Sequence, residues 1–171
     1  MQKQIAEKIN DQVNKEFFSA YLYLAIANYY ERENLDGFAN WFRVQTMEER
    51  DHAFSFIQYL QDNDEAVTLK EIAEPKNDFS SFSDPLELAY HHERSISERI
   101  GSIYEAALEA KDYRTMQYLD WFVREQMEEE KTARDLLDRF RLFGTEAKSL
   151  YLLDNELKAR TYTPPATAPT V

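Results

Sequence analysis

An all-α four-helix bundle, with one long crossover and a short C-terminal fifth helix, is the fold these 171 residues predict. Helix breakers are scarce: there are three glycines and five prolines, and Pro164, Pro165 and Pro169 crowd the C-terminus. Good helix formers fill the space between them. Apolar residues recur every three or four positions through four long segments and one short one.

The first helix is expected from Gln4 to Glu33, on the spacing Ile5, Ile9, Val13, Ala20, Leu24 and Ala27. Asn34-Leu35-Asp36-Gly37 has turn chemistry and interrupts it. A second amphipathic run goes from Phe38 to about Leu60. From Gln61 to Ser83 the period is lost among Asp, Asn, Ser and Pro75, and a connection that long can cross the length of a bundle. Ser83-Asp84-Pro85 reads as a helix start, with a capping side chain and a proline near the first helical position. The third helix runs to about Ala110, and Lys111-Asp112-Tyr113 is a short break. The fourth continues to about Phe143, where Gly144 stops it. Glu146 to about Lys158 forms a shorter helix with Leu150, Leu153 and Leu157 on its stripe. The expected domain is 1–160, and the Pro- and Thr-rich tail 161–171 is expected to be disordered. Two long hairpins joined by one crossover are a recognised class of bundle.

Composition narrows the chemistry. The chain carries 32 acidic and 20 basic residues, a formal charge of −12, which disfavours nucleic acid and anionic membranes as partners and favours cations. An acidic surplus alone signifies no more than solubility. The absence of cysteine removes disulfides, catalytic thiols, iron–sulfur clusters and thiolate zinc sites. The N-terminal residues lack the apolar stretch of a signal peptide, and no window approaches a membrane span, so the expected address is the cytosol.

Extended by threes and fours, each apolar stripe meets polar residues at mid-length. The first stripe is Ile5, Ile9, Gln12, Glu16, Ala20, Tyr23, Ala27, Tyr30; the second is Phe38, Phe42, Gln45, Glu49, His52, Phe56, Tyr59. The third is Leu86, Ala89, Glu93, Ile96, Ile100, Ile103, Ala107; the fourth is Leu119, Val123, Gln126, Glu129, Ala133, Leu136, Phe140. Every long helix thus sends a carboxylate inward, and no Lys or Arg lies on the four stripes. Clustered buried carboxylates need a positive partner, and a pair of divalent metal ions supplies one. Oxygen-rich ligands with one imidazole suit iron or manganese better than copper.

The spacing is regular. Glu16 and Glu49 lie 33 positions apart, as do Glu93 and Gln126; Glu16 and His52 lie 36 apart, as do Glu93 and Glu129. Each hairpin therefore offers one carboxylate from its first helix and an i, i+3 pair from its second. That matches the di-iron carboxylate pattern of a Glu from two helices and Glu-x-x-His from the other two. The second hairpin departs from it, with Gln126-x-x-Glu129 in place of Glu-x-x-His, so half of the site is more weakly ligated.

Glu16 with Tyr23, the run Glu48-Glu49-Arg50-Asp51-His52, His92-Glu93 and the run Glu125 to Glu130 resemble the non-haem ferritins of bacteria and archaea, over essentially the whole chain. The resemblance implies a ferroxidase centre in which Glu16, Glu49 and His52 bind a first iron, with Glu49 bridging. Glu93 and Glu129 would hold the second, with Gln126 close by. It also implies a third iron site from Glu48, Glu125, Glu128 and Glu129. Tyr23, two turns after Glu16 and on nearly the same face, would stand beside the iron pair and donate an electron; a buried core tyrosine is the alternative. His91 and His92 fall off the stripe and are expected to be structural.

The same resemblance implies Fe(II) as substrate, O2 or H2O2 as oxidant, no haem, and a homo-oligomeric cage, usually of 24 chains, that stores ferric mineral. The fifth helix could be a lid, a packing element or an oligomer contact, and its stripe fits the contact around a symmetry axis seen in that family. Bacterioferritin, the haem-binding relative, has a second Glu-x-x-His and a haem-ligating Met after its bridging Glu; this chain has Gln126, Glu129 and Arg50 there. Another di-iron oxidase or peroxidase is a further alternative, although rubrerythrin-like forms need cysteines. A metal-free scaffold bundle would have to account for carboxylates where leucines belong.

Overall fold

A computed structural model describes residues 1–164, and among them all regular structure is helical. The elements in order are α1 (Lys3–Arg32), α2 (Asp36–Asp62), α3 (Asp84–Glu109), α4 (Tyr113–Phe143) and α5 (Ala147–Leu157). α1 packs on α2 and α3 on α4, the two hairpins meet through α1 and α3, and α5 lies against α2 and α4. The expected bundle, crossover and fifth helix are all present.

Helix ends differ from expectation where tertiary contacts override local chemistry. α2 begins at Asp36, two residues before Phe38, so Gly37 is helical and is no turn residue. The need for glycine there comes from packing: a Cβ would sit 2.6 Å from the Asp154 carbonyl carbon. The left-handed residue that ends α1 is Asn34, at φ 60°. Ser83 makes no side-chain cap at the start of α3. Asp84 serves the loop instead, accepting from the Ser80 N–H at 2.9 Å and the Ser81 hydroxyl at 2.6 Å. Asp112 does cap α4, accepting from the Thr115 N–H at 3.1 Å. Gly144 follows the last residue of α4 but keeps a right-handed φ of −77°; a Cβ there would lie 2.5 Å from the Phe140 ring.

The 21-residue connection between α2 and α3 crosses the bundle, held along α1 by two asparagines. Asn10 donates to the Thr68 carbonyl at 2.8 Å and accepts from the Thr68 N–H at 2.7 Å. Asn14 accepts from the Lys70 N–H at 3.0 Å and donates to the Glu71 carbonyl at 3.2 Å. Such two-way bonds satisfy loop backbone that has no strand or helix partner. Residues 161–164 have no regular structure, and the Tyr162 hydroxyl donates to Asp51 on α2. The rest of the tail expected to be disordered, 165–171, lies outside the described residues.

The core is divided. One apolar cluster gathers Tyr30, Phe38, Phe42, Leu136, Phe140, Leu153 and Leu157, with Tyr23 at its edge. The other gathers Ile5, Ile9, Phe56, Leu60, Ile96, Ile100, Leu119 and Phe122. Between α2 and α4 the second cluster is filled by rings: Phe56 stacks on Phe122 at 4.1 Å and Tyr59 on Tyr118 at 3.8 Å. Two stripe assignments shift. Leu24 and Val123 are exposed, and Phe122 takes the inward position next to Val123. The helical phase places 122, 126 and 129 on one face, which leaves 123 outside.

Candidate metal centre

Separating the two apolar clusters is a layer of buried polar side chains from all four long helices. It comprises Gln12 and Glu16 on α1, Gln45, Glu49 and His52 on α2, Glu93 on α3, and Gln126 and Glu129 on α4. Helical geometry aligns them: on each helix the polar residues continue the apolar stripe at a spacing of three or four.

Glu16, Glu49 and His52 each bring a ligand atom within 4.8 Å of the others, the one such buried trio among the described residues. His52 Nδ1 lies 3.5 Å from Glu49 Oε2, and Nε2 lies 4.0 Å from Glu125 Oε1. Neither imidazole nitrogen has a hydrogen-bond partner, and neither does Glu16 Oε2. Buried polar atoms left bare in a native fold call for an explanation. A cation among them supplies one, because it would take a free lone pair of Glu16 Oε2 and the single lone pair of a neutral His52 ring.

The other carboxylates are held by donors. Glu93 accepts from the Tyr23 hydroxyl at Oε1 and from Gln126 Nε2 at Oε2, the latter at 3.2 Å. Gln45 donates to Glu129 Oε2 at 2.9 Å. Gln12 donates to Glu16 Oε1 at 2.8 Å and itself accepts from Arg99 Nε at 3.1 Å. The two glutamines Gln12 and Gln45 lie on the stripes one turn before Glu16 and Glu49, and spacing alone assigns them no role. Arg99 lies off the stripes, and periodicity offered no signal for it.

Burial raises the proton affinity of these acids. Glu16 is pushed up by desolvation, against the opposing pull of His52 and Gln12. Glu49 is pushed well above the carboxylate range by burial and by the negative charges of Glu93, Glu16 and Glu129. Glu93 rises to about 8 by burial and the charge of Glu129, although Tyr23 and Gln126 pull it back. The Tyr23 phenol is likewise raised well above 10 by burial and by Glu93. Without a cation the fold therefore favours protons on its carboxylates; with one, they are the groups that discharge protons.

The remaining predicted residues lie at the margin. Glu48 is partly buried and bound by Arg160, whose Nη2 donates to Oε2 at 2.6 Å. Burial lifts Glu48 to about 7, Arg160 opposes, and Glu129, His52 and Glu125 all act on it. Glu125 is half-buried and raised by burial, with His52 opposing. Glu128 is exposed and lines a groove of about 470 Å³ between α3 and α4 with Gln126, Glu130 and Lys131. His91 is exposed. His92 shares a 2.7 Å hydrogen bond with Ser19 and meets Tyr23 edge-on at 5.9 Å. Arg160 was missed altogether, because it follows α5 in a segment without periodicity.

The chain is similar to known proteins over most of its length. The family model described as a ferritin-like domain matches residues 6–143. The bacterial non-heme ferritin of Campylobacter jejuni is 37% identical over 158 residues, 92% of this chain and 95% of that protein. That of Staphylococcus epidermidis is 36% identical over 162 residues, 95% of this chain and 98% of its own length. Among solved structures, the open-pore ferritin of the hyperthermophilic archaeon Archaeoglobus fulgidus superposes with a TM-score of 0.92 at 37% identity, covering 94% of this chain and 98% of that one. A form of the Archaeoglobus fulgidus ferritin engineered to be closed gives 0.93 at 38%, covering 95% and 99%.

Proposed function

The chain belongs to the ferritin family, and from that premise we propose that it oxidises Fe(II) at the intrabundle centre and stores the Fe(III) product in a homo-oligomeric cage, usually of 24 chains in this family. The observation that carries the reading is the buried trio Glu16, Glu49 and His52, which each bring a ligand atom within 4.8 Å of the others and include an imidazole and a carboxylate oxygen without hydrogen-bond partners. A scaffold would have no use for a layer whose burial is this unfavourable.

Iron is the substrate here. Glu16, Glu49 and His52 bind one Fe(II); Glu93 and Glu129 bind a second; Glu49, which feels the charges of Glu16, Glu93 and Glu129, lies between them. Binding expels the protons that burial holds on Glu16, Glu49 and Glu93. Two Fe(II) ions each lose one electron. O2 takes both with two protons and leaves as H2O2, or H2O2 takes them with two protons and leaves as two waters. Tyr23, hydrogen-bonded to Glu93, is positioned to supply one electron with its phenolic proton in place of one of the two irons, which leaves a neutral tyrosyl radical. Gln126, a neutral donor where an anionic ligand would hold iron tightly, makes the second position the one that releases its product.

Assembly has support in the surface. Tyr151 and Leu152 on α5, Leu142 and Phe143 at the end of α4, and Leu69 and Ile72 on the crossover are exposed large apolar groups. Among the described residues no helix is long and apolar enough to cross a membrane. A cytoplasmic location is part of the proposal.

The test is direct. Iron-free protein given Fe(II) in aerated buffer should oxidise it faster than buffer does, and Glu49→Ala should cripple the fast phase more than Glu128→Ala. Oxidation at the buffer rate would refute the proposal, and equal losses in the two variants would refute the ranking of the sites.

A further inference from the structure

Arg160 is set in place by more contacts than an ordinary surface ion pair. Its guanidinium lies 4.6 Å over the Trp41 ring, and Nη1 donates to the Trp41 carbonyl at 3.3 Å. Its backbone carbonyl accepts from Asn40 Nδ2 at 2.9 Å. From that seat Nη2 reaches Glu48 Oε2 at 2.6 Å, with both side chains about three-quarters removed from solvent (24% and 21% exposed). Stacking on an aromatic face and a charge-assisted bond suit a planar guanidinium and would suit a lysine less.

Glu48 directly precedes Glu49 and stands within electrostatic reach of Glu125, Glu129 and His52. The bare Nε2 of the buried His52 is directed at Glu125, 4.0 Å away. A cation drawn beside the main centre by these acids would meet Glu48 with one of its two oxygens already engaged by the Arg160 guanidinium.

We propose that Arg160 is an intramolecular competitor for the third cation: its guanidinium occupies Glu48 when that position is empty and must leave Trp41 and Glu48 before the position fills. The inference rests on reading Glu16, Glu49, His52, Glu93 and Glu129 as a two-cation centre. It makes occupancy sequential. The centre fills first, and the neighbouring position accepts a cation only at concentrations that displace the guanidinium. Movement of the segment after α5 is then linked to loading.

Titration of metal-free full-length protein with Zn(II), which has no redox chemistry, followed by calorimetry, tests this. Wild type should bind two equivalents per chain tightly and a third weakly. Arg160→Gln should keep the first two and bind the third roughly tenfold more tightly, a difference of about 1.4 kcal/mol. Glu48→Gln should abolish the third in either background. A third equivalent of unchanged or lower affinity in Arg160→Gln overturns the proposal. Absence of the first two equivalents in wild type would instead refute the two-cation centre itself. A second measurement leaves Arg160 intact. In a Trp121→Phe background, which removes the tryptophan near His52, Trp41 emission should shift as the third equivalent binds. Emission that stays flat beyond two equivalents overturns the proposal.

Discussion

Gln12 Nε2 donates to Glu16 Oε1 at 2.8 Å, and Oε2 of the same carboxylate has no partner. One oxygen is thus fixed by the protein and the other is free to ligate. Arg99, donating to Gln12 Oε1, fixes the amide in turn. Outer partners of this kind orient metal ligands and are worth about 10- to 100-fold in affinity. Gln12→Leu should therefore weaken Zn(II) binding at the first position by about tenfold or more while leaving the helical circular dichroism intact. Unchanged affinity would show that Glu16 needs no such support.

Stability should fall with rising pH in the metal-free protein. Glu93 has an ordinary value of 4.5 and a folded value of about 8, so between those limits the folded chain holds a proton that the unfolded chain releases. Stability present below about 4.5 is lost as pH rises through about 8, and Glu16 and Glu49, raised in the same direction, add to the slope. Calorimetry should give a melting temperature lower by several degrees at about pH 8 than at about pH 5.5. Glu93→Gln should reduce that difference, and a melting temperature that holds or rises would contradict the linkage.

Tyr23→Phe removes the donor to Glu93 Oε1 but keeps the ring that packs on Phe42 at 5.7 Å. Binding of two Zn(II) should survive, and stopped-flow oxidation of Fe(II) should slow by about tenfold, the loss of one well-placed hydrogen bond to a charged group. If both binding and oxidation match wild type, Tyr23 is a packing residue only.

Two glycines should respond with opposite sign to alanine. Gly37→Ala drives a methyl into the backbone of Asp154, whose carboxylate accepts from the Gly37 and Phe38 N–H groups at 2.7 and 3.1 Å. That contact ties α5 to the start of α2, and its disruption should cost about 1–3 kcal/mol in denaturant unfolding. Gly101 lies within α3, and its added Cβ would meet nothing within 4 Å. Gly101→Ala should stabilise the helix by about 0.5–1 kcal/mol. The same sign for both would contradict the packing described.

The bundle and its polar layer were legible because both arise from periodicity: Glu16, Glu49, Glu93 and Glu129 stand where the stripes require apolar residues. Phase drift over a 31-residue helix hid the choice between Phe122 and Val123. Contacts distant in sequence were invisible. Nothing local marks Asp154 as the cap of α2, 117 positions earlier, or Arg160 as the partner of Glu48, 112 positions earlier. The start of α2 was misplaced for the same reason, since Gly37 looks like a turn residue until α5 is laid against it.

Crystals of the metal-free protein, soaked anaerobically in Fe(II) and measured at the iron absorption edge, put the central claim to the test. Two anomalous peaks per chain are expected inside the bundle, one bounded by Glu16, Glu49 and His52 and the other by Glu49, Glu93 and Glu129. An interior without anomalous density, with iron confined to surface carboxylates, would contradict it.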